Sequence, residues 1–108
     1  MALQIPKPIA TYFTAEKADP QTFAQCFAED AIVKDEGHTY TGLAAIKRWR
    51  TETQTKYFYT SEPFASKEED GKTIITSRLT GNFPGSPIDL RYFFTLEGNK
   101  IVSLEIIV

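Results

Sequence analysis

The sequence predicts an α+β domain in which three N-terminal helices precede most of an antiparallel sheet. Helical spacing governs the apolar residues of the first half, whereas period-2 alternation and turn dipeptides govern the second. The chain has 108 residues, 42% of them hydrophobic, enough for one core over residues 1–108 and too few for a second domain.

Ile9, Tyr12, Phe13 and Glu16 fall on one helical face, with Pro6 and Pro8 where missing amide donors are tolerated, and they define a first helix. Asp19 followed by Pro20 reads as an N-cap and first-turn proline for a second helix, whose buried side carries Phe23, Cys26 and Phe27. Ala31 to Asp35 leans toward a short strand that Gly37 closes. Thr41 then caps a third helix bearing Leu43, Ile46, Trp49 and Thr53.

Beyond this helix, Asp70-Gly71, Pro84-Gly85 and Gly98-Asn99 interrupt segments rich in Ile, Thr, Tyr and Phe, predicting four strands in meander order. Ile88, Leu90, Tyr92, Phe94 and Leu96 alternate with Asp89, Arg91, Phe93 and Thr95, so one face of that strand is buried. Residues 101–108 are apolar on both faces apart from Ser103 and Glu105, which suits a central strand or a subunit interface. Lys67, Glu68, Glu69 and Asp70 form a charged hairpin tip. Gly81, Pro84 and Gly85 belong to turns or bulges.

Twelve basic against 14 acidic residues give a net charge of -2, without the positive field that nucleic acid requires. No stretch approaches the roughly 18 apolar residues of a membrane span, and Met1 to Pro8 lacks the apolar run of a signal peptide. Cys26 has no disulfide partner, and with His38 the only histidine there is no zinc ligand set, so a reduced, cytoplasmic protein with no metal and no cofactor is expected. Phosphate loops, nucleophile elbows and paired metal-binding histidines are absent.

The run Phe27-Ala28-Glu29-Asp30-Ala31-Ile32-Val33-Lys34-Asp35, followed by Tyr40-Thr41-Gly42, Ala45-Ile46 and Trp49, resembles the SnoaL-like branch of the nuclear transport factor 2-like superfamily. The closing Glu97-Gly98-Asn99-Lys100-Ile101 looks like that family's last turn. The resemblance implies a sheet bent like a cone around the helices, with an apolar cavity at its wide end that takes a small molecule. It implies wall positions at Phe27, His38, Tyr40, Trp49, Tyr59, Arg78, Tyr92 and Phe94.

Ketosteroid isomerase, of the same superfamily, has its general-base aspartate at the end of a run similar to Asp30 to Asp35, which puts Asp35 in the position of the base. Its oxyanion-hole tyrosine corresponds to Tyr12. Its protonated aspartate would fall at Leu90 to Tyr92, where no acid stands, leaving Tyr92 as a substitute donor. An apolar wall of Trp49, Phe27 and Tyr59 would raise the Asp35 carboxyl above its reference value near 4.

Each residue also has a plainer use. Asp35 suits a loop-capping acid, Tyr12 a core tyrosine, His38 a surface loop residue, and Trp49, Phe23, Phe27 and Tyr92 core packing. Asp89, Arg91 and Glu105 are the residue types that epoxide-opening hydrolases of this fold use to activate water. Here the acid precedes the arginine, the reverse of that family's order, and an outer-face ion pair is the competing expectation. Arg78 either anchors an anionic ligand or meets solvent. Lys47, Arg48 and Arg50 read as a solvated basic face. A homodimer through the sheet face is expected.

Overall fold

A computed structural model of the chain describes residues 5–15, 19–56 and 58–108. Among the described residues three helices, α1 (Lys7–Ala15), α2 (Pro20–Ala24) and α3 (Leu43–Lys56), accompany six strands. The strands are β1 (Phe27–Asp35), β2 (His38–Thr41), β3 (Tyr59–Glu69), β4 (Lys72–Gly81), β5 (Ile88–Glu97) and β6 (Lys100–Ile107). They form one sheet in the order β2-β1-β6-β5-β4-β3. All neighbours run antiparallel except β1 and β6, which are parallel and are joined by a crossover containing α3 and four strands before the chain returns beside β1.

Helix α1 starts as expected behind Pro6, whose carbonyl accepts from the Ile9 and Ala10 amides at 3.0 and 2.9 Å. Glu16 lies outside the described residues. Asp19 caps α2, its Oδ1 accepting from the Thr22 amide at 2.9 Å. This helix ends earlier than the spacing of Phe23, Cys26 and Phe27 predicts. The Cys26 carbonyl accepts from the Ile101 amide at 2.9 Å and Phe27 pairs with Ile101, so the ladder to β6 takes the backbone that a longer helix would use. Phe27 therefore opens β1.

Strand β2 is the element that the sequence reading lacks. Glu36 and Gly37 have φ of 52° and 78°, forming a two-residue hairpin with Asp35 opposite His38. Asp70 and Gly71 make the same turn between β3 and β4, with φ of 52° and 76°. Thr41, expected to cap α3, is instead the last residue of β2 and pairs with Ile32. Gly42, at φ 87°, makes the reversal, and its carbonyl accepts the Ile46 amide at 3.0 Å.

The inner face of the sheet and the helices enclose a core that includes Ile9, Phe23, Val33, Ile75, Phe94 and Leu104. Strand β6 is central, which accounts for its apolar character on both faces. At the far edge Gly81 lies so close to β3 that a Cβ would strike the Phe58 carbonyl oxygen and come within 2.8 Å of the Tyr59 Cα. A side chain there would displace Tyr59.

Candidate functional site

Between the inner face of the sheet, α1 and α3 lies a cavity of about 730 Å³. Alternation along β1 buries Val33 and turns Asp35 to the same face, while Lys34 meets solvent. Asp35 thus ends β1 at the cavity wall, where its Oδ2 accepts a 3.0 Å hydrogen bond from Trp49 Nε1.

Burial pushes the Asp35 carboxyl above the ordinary aspartate value, because a charge there loses hydration. The Trp49 hydrogen bond pulls the other way without cancelling it; the Glu36 charge adds to the rise, while the Glu36 amide and His38 oppose it.

Tyr12 and Tyr92 stand on the same wall, both almost fully buried, with ring centroids 6.2 Å apart. His38 and Tyr40, brought in by β2, flank Asp35, and the Tyr40 ring lies 6.1 Å from that of Trp49. Tyr59, Leu79, Phe83, Ile88 and Leu90 contribute across from them.

Of the positions that sequence reasoning assigns to the site, Tyr12, Asp35, His38, Tyr40, Trp49, Tyr59 and Tyr92 come together around this cavity. Phe27, Phe94 and Arg78 do not. Phe27 and Phe94 pack around the Tyr12 ring, at 6.1 and 5.3 Å, and belong to the core. Arg78 lies on the opposite face of β4 from Leu79, exposed, with its Nε 2.9 Å from Asp89 Oδ1 and its guanidinium over Phe64.

The epoxide-opening trio is likewise not assembled. Asp89 pairs with Arg78 and not with Arg91, which donates to the Val108 carbonyl at 3.3 Å, and Glu105 stands opposite Phe93 on the outer face. Among the described residues no group of three or more His, Cys, Asp or Glu side chains is placed to hold a metal ion. No described helix is long and apolar enough to cross a membrane.

The reading of Lys47, Arg48 and Arg50 as a solvated face fails at Arg50. This side chain is only 3% exposed, lies at the cavity wall, and donates from Nη1 to Tyr59 Oη at 2.7 Å. Its guanidinium carbon sits 5.4 Å from the Phe23 ring centre and 5.6 Å from that of Tyr59. The missed signal is spacing, since Arg50 follows the inward-facing Ile46 by four residues.

The chain matches no protein-family model and no curated protein. It does match solved structures. A candidate polyketide cyclase of Sinorhizobium meliloti is 36% identical and superposes with a TM-score of 0.90 over 95% of both chains. A protein of ketosteroid isomerase-like fold from Catenulispora acidiphila, in complex with trimethylamine, gives 0.84 at 18% identity over 97% of this chain and 87% of that one. A nuclear transport factor 2-like protein of unknown function from Cytophaga hutchinsonii gives 0.72 at 16% identity, over 99% and 93%. With an inner cavity walled by sheet and helices, and a relative of this identity along nearly its whole length, the chain belongs to the SnoaL-like, nuclear transport factor 2-like superfamily.

Proposed function

We propose that the cavity binds a small, largely apolar molecule and that Asp35 carries out cofactor-free acid/base chemistry on it, of isomerase or lyase type. The observation that carries this reading is the Asp35 carboxyl, held by Trp49 and partly withheld from water in the cavity that Tyr12 and Tyr92 also line. A carboxylate with poor hydration is a stronger base than a solvated one. It removes a proton from a carbon next to a carbonyl, and the charge passes to the carbonyl oxygen as an enolate. Tyr12 or Tyr92 donates a hydrogen bond to that oxygen. Asp35 then returns the proton to another carbon, or the enolate expels a leaving group. The name of the Sinorhizobium relative denotes ring closure, and closure through a carbon nucleophile begins with the same proton removal.

Deuterium uptake from D2O into 2-tetralone, 1,3-indanedione and ethyl acetoacetate, followed by proton NMR, tests this chemistry. The folded protein is expected to accelerate uptake into at least one of them beyond buffer and beyond the heat-unfolded chain. Equal rates for all three would contradict it.

A non-catalytic binder is the second reading, supported by the absence of an acid at Leu90 to Tyr92. It predicts ligand binding without exchange.

The outer sheet face is assigned to a second copy of the chain. Ile32 and Phe64 are 38% and 51% exposed there and would be covered in such a pair. Light scattering at micromolar concentration is expected to give twice the 12.2 kDa chain mass, and Phe64→Asp to lower it toward one chain. A wild-type monomer would overturn the assignment. A cytoplasmic setting is in keeping with the free, buried Cys26.

A further inference from the structure

Strand register places a second ionisable side chain beside Asp35. In the β1–β2 hairpin Asp35 stands directly opposite His38, and residues so paired in an antiparallel ladder project from one face with their Cβ atoms about 5 Å apart. His38 accordingly lines the cavity next to Asp35. Strand β2 leads to the same placement, because Tyr40 shares a strand face with His38 and their ring centres lie 6.4 Å apart. The Tyr40 ring in turn meets Trp49, whose indole N–H holds Asp35 Oδ2 at 3.0 Å.

The two neighbours differ in their surroundings. Asp35 is partly withdrawn from water, whereas His38 is exposed at the rim and trades protons with solvent. An imidazole can hold and release a proton near neutral pH, so a molecule lying over this pair meets a base and a proton donor from the same side. Isomerisation needs only one group that takes a proton and returns it, which leaves His38 without a task. Elimination needs both, since hydroxide is a poor leaving group until a proton reaches it.

We propose that His38 is the general acid of this cavity and that the reaction it serves is loss of water from a β-hydroxy ketone of largely apolar skeleton. This rests on Asp35 acting as the base, and it selects the lyase outcome over the isomerase one. Asp35 takes the proton from the carbon beside the carbonyl, and the C–H electron pair passes into the enolate. As the carbonyl reforms, that pair makes a carbon–carbon double bond and the C–O bond on the next carbon breaks. The oxygen leaves with the His38 proton as water. The products are a conjugated ketone and water, with no oxidant, reductant or co-reactant. Asp35 then carries one proton more and His38 one fewer, and passage of that proton between them through water restores both.

Loss of water from 4-hydroxy-4-phenylbutan-2-one and loss of acetate from its acetate ester give the same conjugated ketone, and its ultraviolet absorption follows both reactions. Acetate departs as a stable anion and needs no proton, so only loss of water depends on an acid. Wild type is expected to accelerate both reactions beyond buffer. His38→Gln keeps a polar side chain at an exposed strand position and is expected to slow loss of water by about a hundredfold, while changing loss of acetate and deuterium uptake by less than about threefold. Asp35→Asn is expected to stop all three.

If His38 has only a structural place at the rim, its replacement slows all three reactions alike or none of them, and either result overturns the proposal. Wild type that takes up deuterium without expelling water overturns it too and leaves Asp35 standing as a base. Wild type inactive in all three overturns both readings.

Discussion

Asp35→Asn is expected to slow deuterium exchange in whichever carbonyl probe the wild type accepts by about a hundredfold or more, the scale on which a positioned base contributes. The amide is close to the carboxylate in shape, and its oxygen still accepts the Trp49 Nε1 hydrogen bond, so fold and cavity persist while the proton acceptor is lost. In wild type the rate should fall as pH drops through the Asp35 ionisation, because only the carboxylate accepts a proton. Burial places that fall at higher pH than for a solvated aspartate. Exchange in Asp35→Asn at the wild-type rate would remove Asp35 from the chemistry.

Phe94→Ala is expected to cost about 3–5 kcal/mol, the usual range for deleting a buried phenyl group. Phe94 is fully buried, stacks on Tyr92 at 6.1 Å and meets the edge of Tyr12 at 5.3 Å. A domain of this size has a stability of about 5–15 kcal/mol, so the substitution removes about a fifth of it or more and lowers Tm by on the order of 15 °C. The damage should extend to ligand binding, because Tyr12 and Tyr92 reach the cavity from the cluster that Phe94 supports. Urea unfolding measures the cost. A loss below about 1 kcal/mol would mean that Phe94 borders open space and is not core.

That contrast shows where the sequence is legible. Alternation from Ile88 to Leu96 identifies the buried face of β5, yet the same face holds Phe94 in the core and Leu90 and Tyr92 at the cavity. Nothing in the alternation distinguishes them, because distance from the open end of the cone depends on how far the sheet curls.

The Asp70-Gly71 hairpin is readable since this dipeptide favours two positive φ angles. Glu36-Gly37 makes the same turn with a residue less often found there, which hides β2, although the resemblance still assigns His38 and Tyr40 to the site. Phe27 suits the helical period of α2 as well as the first position of β1, and pairing with Ile101, 74 residues away by subtraction, decides between them.

Arg50 shows the opposite failure. Its spacing from Ile46 and Thr53 points inward, but the flanking Lys47 and Arg48 give it the look of an exposed cluster. For Arg78 the sequence leaves both an anionic ligand and solvent open, and strand parity with the buried Ser77 and Leu79 puts it outside. Asp35 and Tyr12 reach the cavity wall at the positions that the resemblance to ketosteroid isomerase implies, the end of β1 and the inner face of α1.

Carbon-13 NMR titration of the Asp35 side-chain carboxyl, assigned by comparison with Asp35→Asn, addresses the chemistry most directly. A midpoint clearly above the reference aspartate value of about 3.9 is the predicted result, since burial outweighs the Trp49 hydrogen bond. A midpoint at or below that value would mean a well-hydrated carboxylate, and Asp35 would then be a rim acid with no basicity to contribute.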